Sequence, residues 1–174
     1  MELLNKSPLA KQFIGGTAVS CVLLPNNYHR FHAPVSGTLI ESMMVPGLYF
    51  GISDGETWFG RGNAGASDMK FSTFQDFKRS YYIYNTSKYG LVAQVAVGLA
   101  EINSIQPAKL RDRSTFIGRK GEASYQGPLE VSKGDQVGYF QYGGSLNMLL
   151  FETSVFSAIQ VLMGNRLGKM EALK

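Results

Sequence analysis

The bond between Gly144 and Ser145 has the residue types that self-cleavage of a backbone requires. Glycine leaves its carbonyl carbon unhindered, and the hydroxyl of the following serine can attack that carbon in a strained turn. Ser145 is therefore the candidate nucleophile, and Gly144 is the residue that it would attack. Attack would convert the amide bond into an ester.

A serine hydroxyl needs a base, and histidine titrates near neutrality. The chain has two histidines, His29 and His32. An extended segment would place them on opposite faces, so their spacing alone does not bring both to Ser145. A turn before Ala33-Pro34 would reconcile them. Two structural hydrogen bonders, or half of a metal site, remain alternative interpretations.

A complete metal site is not predicted. His29 and His32 have no adjacent carboxylate, and the single cysteine, Cys21, is distant in sequence. This set provides too few ligands for zinc or iron. The apolar neighbours of Cys21 instead indicate a buried thiol.

Composition indicates the elements that would position these residues. The chain has 174 residues, 44% of them hydrophobic, which suits one domain over 1–174. Its 20 Gly, 6 Pro, 11 Phe and 9 Tyr favour short strands joined by tight turns. We therefore predict a mainly β fold, a single compact barrel-like or sandwich-like domain with turn-rich loops.

Apolar segments between turn residues predict the individual strands. We expect strands over 16–24, 38–44, 48–52, 80–85, 91–98 and 101–106. Residues 57–77 have the weakest pattern and are predicted to form an exposed excursion. Their G-x-G-x-x-G match over 60–65 follows no long strand and precedes no convincing helix, so we interpret it as a loop.

A weak internal repeat lies in the C-terminal third. Segments 133–140 and 163–170 each place two glycines four residues apart around a polar turn. This pattern predicts two strand–turn–strand units facing one another, like those of biotinyl and lipoyl barrels. The tyrosines and phenylalanine beside the first unit, Tyr139, Phe140 and Tyr142, are predicted to be core more than pocket.

Residues 24–37, which contain Tyr28-His29-Arg30-Phe31-His32, and residues 133–151 resemble the phosphatidylserine decarboxylase family. The resemblance implies self-cleavage into chains 1–144 and 145–174, with Ser145 converted into a pyruvoyl cofactor. It also implies that His32 assists cleavage and that His29 acts in decarboxylation as a proton donor. The pyruvoyl ketone would condense with a substrate amine and accept the electrons released with carbon dioxide.

The resemblance further implies the substrate and the setting. Phosphatidylserine, converted to phosphatidylethanolamine, is the favoured substrate. Alternatives are decarboxylation of a free aromatic amino acid, or a non-catalytic homologue that only binds a ligand. We expect a homo-oligomer of processed chain pairs in the cytoplasm. Peripheral contact with a membrane is a further possibility. Nucleic acid is not an expected partner, because the net charge of +4 comes without a recognition module.

A basic patch and three departures complete the prediction. Four cations in one loop segment could meet anionic headgroups or could be ordinary solvated charge: Arg111, Arg113, Arg119 and Lys120. Asn27 replaces an aspartate that commonly precedes Tyr-His-Arg in the family, and Gly143 and Leu146 replace its Leu and Thr around Gly-Ser. The upstream aspartate that orients the processing histidine has no position here. Either Met1 begins a fragment, or maturation proceeds without that acid.

Overall fold

Antiparallel strands form most of the molecule. The computed structural model describes residues 2–23, 27–47, 71–98, 104–141, 145–159 and 168–170. Its strands are, in chain order, β1 (Thr17–Leu23), β2 (Arg30–His32), β3 (Gly37–Val45), β4 (Arg79–Thr86), β5 (Gly90–Gly98), β6 (Ser104–Pro107), β7 (Lys109–Leu110), β8 (Arg113–Ser114), β9 (Leu129–Val131), β10 (Gln136–Gln141), β11 (Ser145–Phe151), β12 (Phe156–Ile159) and β13 (Gly168–Met170).

Two sheets define the architecture. The larger has six strands in the order β1-β11-β5-β4-β3-β9, and the smaller has three in the order β2-β10-β6. The pairs β7-β8 and β12-β13 form two short ladders. The predicted mainly β, sandwich-like domain is confirmed, and the described strands form open sheets rather than a closed barrel.

The six-stranded sheet is buried on both faces. Its inner face, as we call it, packs against the three-stranded sheet through Tyr82 and Tyr84. Its outer face packs through Tyr81 and Ile83 against the N-terminal segment and the segment before β4. All four side chains are fully buried. Strand alternation therefore assigns every side chain in the sheet centre to one of two cores.

Three 3₁₀ helices cover the outer face: Glu2–Leu4, Pro8–Phe13 and Phe71–Asp76. The second begins where the Ser7 side chain accepts a hydrogen bond from the Leu9 amide at 3.3 Å, and Pro8 occupies its first turn. The third corrects part of the predicted excursion, because Phe74 and Phe77 are buried. Their spacing of three places both rings on one side of a 3₁₀ turn.

The predicted strands agree with the described ones wherever the two overlap. Predictions 16–24, 38–44, 80–85 and 91–98 correspond to β1, β3, β4 and β5. Prediction 101–106 overlaps β6, which begins at Ser104, whereas 48–52 lies outside the described residues. In the predicted repeat, 132–135 is a turn between β9 and β10, and most of the second unit also lies outside the described residues.

A buried arginine attaches the N-terminal segment to the sheet. Arg79 begins β4 and is only 4% exposed. Its guanidinium donates to the carbonyls of Leu3 at 2.9 Å, Glu2 at 2.7 Å and Phe77 at 3.1 Å. Burial lowers the pKa of Arg79, and nearby acidic groups oppose that effect. Carbonyl acceptors thus replace the water that this cation loses.

A second cation attaches the same segment. Arg119 donates to Glu41 at 2.9 Å, to the Tyr81 hydroxyl at 2.8 Å and to the Asn5 carbonyl at 2.9 Å. Tyr81 in turn donates to Glu41 at 2.6 Å. Burial is the main reason that the pKa of Tyr81 is raised. The outer layer is therefore held by polar contacts as well as by apolar packing.

Replacing Arg79 with methionine should lower the free energy of unfolding by about 3 kcal/mol, because several carbonyls lose a charged donor. Chemical denaturation followed by circular dichroism would measure the change. Lys109→Met, at an exposed position of β7, is the control and should change stability by less than about 0.5 kcal/mol. Equal stabilities for the two variants would contradict the anchoring role of Arg79.

Candidate functional site

The predicted nucleophile is the first residue of β11, and it faces the inner core. Leu146 and Met148 belong to the outer core, whereas Phe151 belongs to the inner one and Leu149 packs against it. The alternation places Ser145 on the inner face, toward the three-stranded sheet. Gly143 and Gly144 lie outside the described residues.

Ser145 is fully buried between two strands. Its register partners are Leu23 on β1 and Gly98 on β5. Within the described part of the chain its Oγ has no hydrogen-bond partner. A buried hydroxyl without a partner costs about 1–3 kcal/mol. No hydrogen bond to a described residue therefore restrains this hydroxyl.

His29 supplies a second buried, unpartnered atom on the same side. Its ring meets the edge of the Phe140 ring at a centroid distance of 6.3 Å, and Phe140 belongs to the inner core. Its Nδ1 lies 2.6 Å from the Asn27 carbonyl, which can only accept, so Nδ1 carries the hydrogen. In the neutral ring Nε2 is then a bare acceptor. It is buried without a partner among the described residues.

The ring of His32 lies on the opposite face of β2 and is fully engaged. Its Nδ1 donates to the Gly134 carbonyl at 2.7 Å, and its Nε2 accepts from the Tyr28 hydroxyl at 2.9 Å. The Tyr28 ring stacks on it at 5.8 Å and is 61% exposed. Because β2 is extended through His32, no turn brings the two imidazoles to one side. The two rings therefore have different surroundings: the His29 ring lies against Phe140 of the inner core, and the His32 ring lies against Tyr28 and Gly134.

A glycine turn fixes the histidine segment. Gly134 has φ +93°, a conformation that glycine adopts readily. Its amide donates to the Ala33 carbonyl at 2.9 Å, and the Ala33 amide donates to the Asp135 carbonyl at 2.8 Å. The two sequence motifs that carry the resemblance are therefore in direct contact. Backbone carbonyls, rather than carboxylates, orient both imidazole rings.

A buried amide that the sequence did not single out links β2 to the larger sheet. Gln94 on β5 is 3% exposed. Its Nε2 donates to the His32 carbonyl at 3.2 Å, and its Oε1 accepts from the Tyr84 hydroxyl at 2.9 Å. The sequence signal that could have identified this residue is a single glutamine within the otherwise apolar segment 91–98.

The family model described as phosphatidylserine decarboxylase matches residues 1–171. The chain belongs to this family. It is 33% identical over 98% of its length to phosphatidylserine decarboxylase proenzyme 2 of Oryza sativa subsp. japonica. It is 30% identical, over 98% and 87% of its length, to the proenzymes of Fusobacterium nucleatum and Clostridium perfringens strain ATCC 13124.

The chain spans less than half of each of these phosphatidylserine decarboxylase relatives. It covers 23% of the rice protein, 48% of the Fusobacterium protein and 42% of the Clostridium protein. The shared part contains both sequence motifs and the inner face of the sheet.

Some side chains of the predicted basic patch make hydrogen bonds and ion pairs within this phosphatidylserine decarboxylase family domain. Arg113 donates to the carbonyls of Gln126, Gly127 and Pro128, and Arg119 pairs with Glu41. Arg111 and Lys120 are exposed. Two of the four cations therefore stabilise local structure.

The described ranges contain neither a metal-ligand cluster nor a membrane-spanning helix. No cluster of three His, Cys, Asp or Glu side chains in these ranges could hold a metal ion. No helix there is long and apolar enough to cross a membrane. Cys21 is half-buried, and burial raises the pKa of its thiol.

Replacing Gln94 with leucine should release β2 from the larger sheet. The His32 carbonyl loses a donor and the buried Tyr84 hydroxyl loses its acceptor, so the free energy of unfolding should fall by about 2 kcal/mol. Hydrogen exchange at the Ala33 and Phe140 amides, which fix β2, should accelerate more than exchange at β4. Gln94→Glu keeps the acceptor and serves as the matched variant. Uniform acceleration across the sheet would contradict a local role.

Proposed function

We propose that this chain is the catalytic region of a pyruvoyl-dependent decarboxylase, which matures by cutting itself between Gly144 and Ser145. The observation that supports the proposal best is the placement of two reactive atoms. Ser145 Oγ and His29 Nε2 are both buried and have no hydrogen-bond partner among the described residues. Strand alternation turns Ser145 toward the inner core, and the His29 ring lies against Phe140 of that core. A nucleophile and an acceptor for its proton are the parts that self-cleavage needs.

The proposed cleavage uses atoms of the chain itself. Ser145 Oγ loses its proton to His29 and attacks the Gly144 carbonyl carbon, and the Gly144–Ser145 C–N bond breaks to give an ester and a free amine. Removal of the Ser145 α-proton then expels Gly144 as a carboxylate and leaves dehydroalanine. Tautomerisation and hydrolysis release ammonia and give a pyruvoyl group at residue 145.

The residues present fit that group. Ser145 is buried and its Oγ makes no hydrogen bond to a described residue, and its neighbour on β5, Gly98, has no side chain. When formed, the pyruvoyl group supplies a carbonyl that condenses with a substrate amine and accepts electrons as carbon dioxide leaves. His29 Nε2 is the group proposed to hold the proton that the product carbon receives, as the resemblance implies for this residue.

The two histidines receive different roles. His29 is the proposed base for Ser145, because its ring lies against the inner core, toward which Ser145 also faces, and its Nε2 has no partner among the described residues. His32 is proposed to position the segment, because its ring joins Tyr28 to the 132–135 turn. The family resemblance instead gives cleavage to His32, and in that role its Nε2 would have to exchange its contact with the Tyr28 hydroxyl for one with Ser145.

The proposed substrate is phosphatidylserine, with phosphatidylethanolamine as the product. The names of the relatives support this choice, and the chemistry requires a free amine and carboxylate on one carbon. Contact with a membrane surface follows from a lipid substrate. Carbon dioxide release that depends on phosphatidylserine vesicles would support it, whereas release from free tryptophan alone would support an amino acid substrate.

The intact mass of the purified protein tests the self-cleavage proposal. The expected products end at Gly144 and begin at residue 145, with a pyruvoyl-blocked N-terminus on the second. Ser145→Ala removes the hydroxyl and should remain a single chain. If the unaltered protein also stays uncut, the chain is a non-catalytic homologue or an incomplete proenzyme.

The rate of cleavage tests the two histidine roles. His29→Gln should slow cleavage at least about 100-fold, because an amide cannot accept the proton. His32→Gln should slow it less than about 10-fold, because glutamine keeps hydrogen-bonding groups at that position. Arg30→Gln, at the exposed position between them, is the control. Loss of cleavage in His32→Gln with retention in His29→Gln would restore the division implied by the resemblance.

A further inference from the structure

Asn147 is a third polar group on the Ser145 side of the sheet. It lies two residues along β11, so strand alternation places it on the inner face, with its Cα about 7 Å from that of Ser145. Its register partners, Cys21 on β1 and Ala96 on β5, have short side chains. Its Oδ1 is buried and has no hydrogen-bond partner among the described residues.

The fold does not use this amide oxygen as it uses that of Gln94. The Gln94 amide, on the same face, is bonded at both ends, to Tyr84 and to the His32 carbonyl. Most buried side-chain oxygens in folded proteins have a partner. Among the described residues neither the Asn147 Oδ1 nor the Ser145 Oγ, two positions away on the same face, has a partner, and this indicates that the Oδ1 binds a ligand.

The chemistry of Oδ1 defines that ligand. An amide oxygen accepts hydrogen bonds and cannot donate them, so its partner carries N–H or O–H groups. A substrate that condenses at residue 145 arrives with an ammonium group. An ammonium group carries several N–H donors, so the neutral amide oxygen can accept a charge-assisted hydrogen bond from it.

We propose that Asn147 binds the ammonium group of the substrate and positions it beside residue 145. This inference rests on the proposed function, because it assumes that residue 145 becomes the reacting centre. His29 Nε2, which has no partner among the described residues and whose ring lies against the inner core, is the group that can then take a proton from the bound ammonium. Asn147 is a specificity-determining residue in this arrangement.

The test separates binding from self-cleavage. Unaltered protein, Asn147→Val, Asn147→Asp and the control Asn85→Val, at an exposed position of β4, are purified and their cleavage is followed by intact mass. The cleaved proteins are then reduced with borohydride in the presence of O-phosphoserine or phosphoethanolamine. Both probes carry an ammonium and a phosphate, and only the first has a carboxylate. The mass gained by the 145–174 fragment reports capture of the amine.

Asn147→Val should cleave normally and should need about 10-fold more of either probe for half-maximal labelling, the loss expected for one charge-assisted hydrogen bond. Asn147→Asp keeps an acceptor and should need no more probe than the unaltered protein. Asn85→Val should match the unaltered protein throughout.

Four results would overturn the inference. The first is unchanged labelling of Asn147→Val, and the second is weaker labelling of Asn147→Val with O-phosphoserine alone, which would show carboxylate binding. The third is weaker labelling of Asn147→Asp with both probes. The fourth is loss of cleavage in Asn147→Val, which would place the amide in maturation. In all four the unaltered protein is cut. An unaltered protein that stays uncut instead refutes the proposed function, and this inference fails with it.

Discussion

Burial of both faces of the six-stranded sheet is the constraint on which the rest of the structure depends. With apolar cores on either side, a shift of β11 by one residue would move Leu146 and Met148 into the inner core and Phe151 out of it. Such a shift would also turn Ser145 away from the three-stranded sheet. The register that satisfies the cores therefore also fixes the direction of the reactive hydroxyl.

The manner in which the imidazoles are held follows from the same backbone. A carboxylate partner fixes the tautomer of a histidine and also favours its charged form, whereas a carbonyl fixes the tautomer with a weaker effect on charge. His29 and His32 both rest on carbonyls, of Asn27 and Gly134. The aspartate that commonly occupies position 27 in the family is not needed for the His29 contact, because a backbone atom makes it.

Sequence reasoning found β1, β3, β4 and β5 and both motifs because alternation and turn residues are local signals, but it did not list β11 among the expected strands. It also stated that an extended segment would separate His29 from His32, which the described geometry of β2 confirms. It did not find Gln94 or Asn147, since each is a single amide in an apolar strand, whose meaning depends on which face is inner. The burial of the Phe74 and Phe77 side chains was missed because it depends on an apolar surface formed by strands that are distant in sequence.

The position of β11 determines what a cut before Ser145 would do to the protein as an assembly. β11 is paired along its whole length to β1 on one side and β5 on the other, and its apolar residues enter both cores. Two polypeptides made by that cut would behave as one folding unit, because the second chain would contribute β11 to the sheet of the first. Their separation would require the sheet to come apart, so the thermal midpoint of the cut protein would depend on its concentration.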